Sequence, residues 1–241
     1  MDVGRWAFLF CAMLSAIIVA GGSSQRMGFD KLFAVIAGEP VIAHAIRAFD
    51  HATSISEIVV VAREQRHDEI TKIISCAGFK KIRAIVRGGE RRQDSVRAGL
   101  DSVDRDAEYV AVHDAARPLI TPQQIERAFE QCRAHDAATL AQPVNDTLKR
   151  ADADLLVIGA VDRHQLYAMQ TPQIFERKLI EDAYRAVYAE NISVTDEVSA
   201  VERLGHKIAL VLNDDFNFKI TYPRDLPLAD FILREREKNH R

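Results

Sequence analysis

Ala16-Ile17-Ile18-Val19-Ala20-Gly21-Gly22-Ser23-Ser24-Gln25-Arg26-Met27-Gly28-Phe29-Asp30-Lys31 begins with five apolar residues, three of them β-branched, and runs straight into paired glycines. The apolar run reads as a buried central strand of a parallel sheet. Gly21 and Gly22 at its end allow a sharp turn and a close approach of backbone to ligand. Successive N–H groups in such a turn form a concave anion site. A lone Gly-Gly pair is more simply an ordinary strand-to-helix turn. Here Arg26 and Lys31 follow with flexible Gly28 between them, and two cations within reach of one anion are what a polyphosphate site needs. The spacing is not G-x-G-x-x-G, so a dinucleotide fingerprint is absent. It is not G-x-x-x-x-G-K-[ST] either, which argues against a P-loop.

Outward from this loop, 241 residues suffice for one α/β domain with a sizeable core. The formal charge of −3 gives no reason to expect a nucleic-acid partner. Cys11, Cys76 and Cys132 are odd in number and far apart. They suggest neither a disulfide framework nor a zinc site, and a reducing cytoplasm suits them. Residues 7–20 are apolar enough to be compared with an export signal but too short to span a membrane. Cleavage near Ala20 would remove the strand that carries the glycine turn. Residues 16–20 are therefore read as structure and residues 1–14 as an N-terminal extension, with one domain from 15 to 241.

Downstream the pattern alternates. A helix starts near Pro40 with Val41, Ile42, Ala45, Ile46 and Phe49 on one face. Glu57–Ala62 reads as a second buried strand, residues 64–77 as a helix closed by Gly78, and Lys81–Val86 as a third strand. This alternation implies a doubly wound, Rossmann-like, mostly parallel sheet. A second glycine turn, Gly88-Gly89-Glu90, leads into a helix with Asp94 or Ser95 as its cap. Tyr109–Val112 is a fourth strand, ending in His113-Asp114-Ala115-Ala116-Arg117-Pro118.

Ligands of open parallel sheets sit at the carboxyl ends of strands. Asp114 could there hold Mg²⁺ through one carboxylate and water, or it could simply pair with Arg117 or cap a turn. His113 is given no catalytic role. Thr121-Pro122-Gln123-Gln124 has the form of a helix start, and Ala137–Val144 reads as a strand. Residues 145–172 lack a clean period. Leu155–Ile158 and Val161-Asp162 suggest short strands of a projecting β-arm, whose apolar exposure would call for a partner; a hairpin folded onto its own sheet is the alternative. Residues 176–190 form an amphipathic helix. Thr195-Asp196-Glu197 caps the next one, Ile208–Leu212 is a last strand, and Lys219 is placed at a strand end.

Six ordered motifs together resemble the 2-C-methyl-D-erythritol 4-phosphate cytidylyltransferase family over about 15–232. They are the GGxxxRMGxxK loop, RGGERRQDSV, HDAARP, Asp146-Thr147-Leu148-Lys149 with Asp162-Arg163 and Thr171-Pro172-Gln173, the Thr195-Asp196-Glu197 triplet, and the Asn217-Phe218-Lys219-Ile220-Thr221 ending. The resemblance implies CMP transfer from CTP to 2-C-methyl-D-erythritol 4-phosphate with Mg²⁺ as cofactor. It assigns Arg26, Lys31 and Lys219 to the phosphates as catalytic cations. Ala20, Gly21, Gly22, Gly89, Glu90, Ser95 and Ala115 would hold the nucleotide. Asp114, Arg117, Thr147, Arg163, Thr171 and Thr195 would meet the acceptor, and Asp114 the metal. The arm would embrace a second copy in a homodimer, with Arg163 reaching the neighbour's site. The family usually has Pro-Lys-Gln around the loop lysine and often Asp where Glu90 stands. The Asp30-Lys31-Leu32 form here is similar to molybdopterin guanylyltransferases. Alternatives are therefore cytidylyl transfer to another polyol phosphate such as ribitol 5-phosphate, guanylyl transfer to a pterin, or a nucleotide-binding regulator without catalysis.

Overall fold

The computed structural model describes residues 13–22 and 27–239; Arg26 and residues 1–12 of the extension lie outside them. In chain order the strands are β1 (Leu14–Ala20), β2 (Val35–Ile36), β3 (Glu39–Pro40), β4 (Ile55–Ala62), β5 (Ile82–Arg87), β6 (Tyr109–Asp114), β7 (Ala137–Pro143), β8 (Leu148–Ala151), β9 (Val157–Val161), β10 (Tyr167–Glu176) and β11 (Ala209–Leu212). The helices are α1 (Val41–His51), α2 (His67–Ala77), α3 (Arg92–Leu100), α4 (Pro122–His135), α5 (Arg177–Ala189), α6 (Glu197–Glu202) and α7 (Asp225–Asn239).

The central sheet has the order β11-β7-β10-β6-β1-β4-β5. β1 pairs in parallel with both β4 and β6, so the glycine turn leaves the middle of the sheet. Only β10 runs against its neighbours, β6 and β7. Alternate residues of β1 enter opposite cores. Ala16, Ile18 and Ala20 pack with α1, α4 and α7, whereas Ile17 packs with α3, α5 and α6. Both faces of the strand are covered, which is why it reads as a continuous apolar run. At Gly99 an added Cβ would lie 2.5 Å from Ile17 Cγ2, so α3 lies close against β1 and presents its N-terminus beside the β1 turn.

Several expectations are corrected. β1 starts at Leu14, which therefore belongs to the domain and not to the extension. The cap of α3 is Arg91, while Asp94 stands three residues in and accepts the Arg91 N–H at 3.0 Å. The expected capping of α6 by the Thr195-Asp196-Glu197 triplet is present, and within it the cap is Asp196, whose carboxylate accepts Ser199 N–H at 3.0 Å. Lys219 lies in an irregular segment rather than at a strand end. The arm is the β8–β9 ribbon and is shorter than 145–172, because β10 belongs to the central sheet. β10 escapes sequence reading because Gln170, Thr171 and Gln173 are buried polar residues and Pro172 interrupts the strand. The β10–β7 register breaks between Met169 and Gln173, where that proline sits. Among the described residues no helix is long and apolar enough to cross a membrane.

Candidate active site

At the carboxyl ends of β1 and β6 the two glycine turns and α3 enclose a cavity of about 240 Å³. Ala20, Gly21, Gly22, Lys31, Gly89, Glu90, Ser95, Asp114 and Lys219 line it, as the sequence led one to expect. Close packing explains the glycines. A Cβ at Gly89 would come within 2.3 Å of Asp94 Cβ, and one at Gly88 within 2.7 Å of Ser95 Oγ. No side chain fits between the second turn and the first turn of α3.

The two lysines converge although they are 188 positions apart. Lys31 follows Asp30, which caps a single turn of 3₁₀ helix at Lys31–Phe33 by accepting Leu32 N–H at 3.2 Å. Its ammonium donates to the Ile220 carbonyl, next to Lys219. Lys219 Nζ donates to Asp114 Oδ2 at 2.7 Å. The other carboxylate oxygen of Asp114 accepts from Arg92 Nη2 at 3.3 Å. Burial opposes charge on Asp114, but Arg92 and Lys219 outweigh it and hold the carboxyl well below the usual carboxylate range. Asp114 is therefore ionised at any working pH.

Arg92 is tied from behind. Its Nη1 and Nη2 donate to Glu197 Oε1 and Oε2 at 2.5 and 2.9 Å, a bidentate pair. Glu197 is fully buried and also accepts from the Tyr184 hydroxyl at 2.9 Å. Burial opposes ionisation of Arg92, yet Glu197 and Asp114 raise its pKa further above the ordinary arginine value. Arg92 therefore links Asp114 on β6 to the start of α6.

Beneath Asp114, its backbone N–H donates to Thr171 Oγ1 at 3.1 Å, and Thr171 lies 2.9 Å from His113 Nδ1. His113 Nε2 is 3.2 Å from the Arg117 carbonyl. The carbonyl can only accept, so Nε2 carries the hydrogen and Nδ1 accepts from the Thr171 hydroxyl. Burial pushes the His113 pKa down to about 3, so the imidazole is a neutral relay and not an acid or base at neutral pH. Arg117 donates to the carbonyls of Asn217, at 2.7 Å, and Met169. It pins the segment that carries Lys219.

Other expected residues lie elsewhere. Ala116, not Ala115, lines the cavity, and the Ala115 N–H is spent on the Val19 carbonyl at 3.0 Å. Thr147 and Thr195 are exposed and do not line the cavity. Arg163 is exposed on the arm, where it donates to the Asn145 carbonyl. Thr171 is buried under the site and does not line it.

Four side chains given no role by sequence complete the picture: Arg63, Arg66, Arg92 and Glu197. Arg63 Nε donates to the Gly21 carbonyl at 2.9 Å. Arg63 and Arg66 follow the C-terminal end of β4, where ligands of parallel sheets gather, and that position was the available signal. Arg92 lies inside the quoted glycine motif and Glu197 inside the triplet. Nothing in the sequence showed that the two meet.

Fold and site define a nucleotidyltransferase of the α/β class, with two glycine turns and two lysines lining one anion-sized cavity. The model of the 2-C-methyl-D-erythritol 4-phosphate cytidylyltransferase family matches residues 14–235, and the chain belongs to that family. The 2-C-methyl-D-erythritol 4-phosphate cytidylyltransferase of Caldanaerobacter subterraneus is 42% identical over 225 residues, 92% of this chain and 99% of that protein. The chloroplastic protein of the same name from Oryza sativa is 34% identical, over 92% of this chain and 75% of its own length. The crystal structure of 4-diphosphocytidyl-2C-methyl-D-erythritol synthase from Anaerococcus prevotii superposes with a TM-score of 0.82 at 30% identity, covering 93% of this chain and 97% of that one.

Proposed function

We propose that this enzyme transfers CMP from CTP to 2-C-methyl-D-erythritol 4-phosphate, releasing pyrophosphate, in isoprenoid precursor biosynthesis. The observation that carries the reading is the meeting of Lys31 and Lys219 at the cavity floored by Gly21 and Gly22. An acceptor phosphate oxygen attacks the α-phosphorus of CTP, a new P–O bond forms, and the bond to the β-phosphate oxygen breaks. Two anions must approach and charge builds on the α-phosphoryl oxygens. The protein's work is therefore positioning and neutralisation. Lys31 and Lys219 supply fixed positive charge, with Arg26 of the same loop as a third cation. The turns at Gly21 and Gly89 supply close main-chain approach.

Mg²⁺ is proposed as the cofactor. No cluster of three or more ligating side chains occurs among the described residues. The ionised carboxylate of Asp114 lines the cavity, and that suits a cation held otherwise by phosphate oxygens and water. When bound, the metal would supply further neutralisation of phosphate charge.

The exposed apolar tip of the arm, Leu155, Leu156, Val157 and Ile158, supports a homodimer formed through β8–β9. In such a dimer Arg163 and Thr147 would serve the neighbour's acceptor pocket, consistent with their distance from the cavity of their own chain. Ile158→Asp is expected to shift the protein from dimer to monomer in sedimentation velocity; an unchanged sedimentation coefficient would remove the arm from the interface.

The decisive assay is pyrophosphate release with CTP and a panel of acceptors. Turnover with the methylerythritol phosphate and none with ribitol 5-phosphate or a molybdopterin plus GTP is the expected result. Turnover only with another acceptor would overturn the pathway while leaving the CTP site intact.

A further inference from the structure

Arg66 is a buried arginine outside the cavity, and its guanidinium fork is shared among three acceptors on two segments. Nε donates to Asp30 Oδ2 at 2.5 Å, Nη1 donates to the Ala20 carbonyl, and Nη2 donates to the Gly22 carbonyl at 2.9 Å. Carbonyls two residues apart on an extended chain point the same way, so one planar fork can engage both. A trans peptide is planar, with its N–H opposite its C=O. Fixing the Ala20 carbonyl therefore fixes the direction of the Gly21 N–H, and Gly21 and Gly22 line the cavity. Meanwhile the second oxygen of Asp30 accepts the Leu32 N–H at 3.2 Å and sets the short helical turn that presents Lys31.

We infer that Arg66 and Asp30 form a positioning pair for the nucleotide: one guanidinium holds both the main-chain amides and the ammonium of Lys31 in register for a triphosphate. Neither side chain lines the cavity, so both act through the groups they hold. A lysine cannot replace the fork, because a single ammonium cannot span these three acceptors in one plane.

The inference rests on the reading of the site as a CTP site. The experiment is CTP titration by calorimetry on the full chain, alongside steady-state KM for CTP and for the acceptor. The proteins are wild type, Arg66→Lys and Asp30→Asn. Both variants are expected to weaken CTP binding and raise its KM about tenfold, the scale of one lost charge-assisted hydrogen bond. The acceptor KM should stay within about twofold of wild type. Asp30 is partly exposed, so Asp30→Asn keeps the test valid if Arg66→Lys does not fold. CTP affinity unchanged in a folded variant overturns the inference. So does a parallel rise in both KM values with a fallen melting temperature, which would mark a staple of the fold alone. Wild type that fails to bind CTP would instead overturn the functional reading, a separate and visible outcome.

Discussion

Lys219→Ala will lower turnover by about 10²–10³-fold, the scale seen when one preorganised transition-state donor is lost. The ammonium lies 2.7 Å from Asp114 Oδ2 at the mouth of the cavity, with Lys31 on the neighbouring Ile220 carbonyl. On the proposed reading a triphosphate entering this space would meet both. The charge they face grows as the pentacoordinate phosphorus forms, so kcat and kcat/KM should fall together. Lys31→Ala belongs to the same scale for the same reason. Fold loss does not confound the measurement. The Lys219 side chain is 41% exposed, and Asp114 keeps Arg92 as a partner. Only the lysine end of the pair is open to water; Asp114 is buried, and its remaining contact with Arg92 limits the stability lost. The check is pyrophosphate release at saturating CTP and acceptor on protein with a normal unfolding midpoint. Near-normal turnover would refute the assignment of Lys219 to the phosphates.

Glu197→Ala should produce the largest loss of stability of any charge removal near the site, about 3–5 kcal/mol. Glu197 is completely buried and makes two bonds with Arg92 and one with Tyr184. Its removal leaves a guanidinium largely out of water with only the two longer contacts to Asp114 Oδ1, at 3.3 and 3.4 Å, and strips the Tyr184 hydroxyl of its acceptor. Urea unfolding followed by circular dichroism measures the change directly. Glu197→Gln keeps a carbonyl oxygen for one donor and should lose less. Arg92→Met with Glu197→Met removes both charges and should recover much of the stability but none of the activity, because Asp114 then loses its second cation. A loss below about 1 kcal/mol in Glu197→Ala would mean the cluster is far wetter than its burial implies.

The motif stretches were legible where chemistry is local. The β1 run and its glycines, the Thr121-Pro122-Gln124 helix start, and Gly78 in a left-handed conformation at the end of α2 all follow from neighbours in sequence. Thr121 accepts the Gln124 N–H and Gln124 accepts the Thr121 N–H, as that pattern requires. β10 was hidden because its polar, proline-bearing centre owes its place to partners far along the chain. Asn213 and Asn217 both donate to Gln170 Oε1, and Gln173 accepts the N–H groups of Glu197 and Val198. A period of two cannot report a strand whose buried side chains are polar and satisfied from elsewhere. The expected cap of α3, Asp94 or Ser95, lies three or four residues past the observed Arg91 for a smaller reason: Asp94 serves the helix from inside its first turn.

By itself the order of residues determined the class of fold, the two glycine turns and the kinds of side chain available to a phosphate, since these depend on short-range pattern and on composition. Only the tertiary structure decided which charges neutralise one another. Arg92, Asp114 and Glu197 come from three separate elements and Lys219 from an irregular segment, and they meet because the sheet brings β1 and β6 side by side under α3 and α6. In the same way Arg66 reaches the first glycine turn only because β4 lies beside β1. Electrostatic interactions act through distance in space and not along the chain, so the partners of each charge are set when the strands pair.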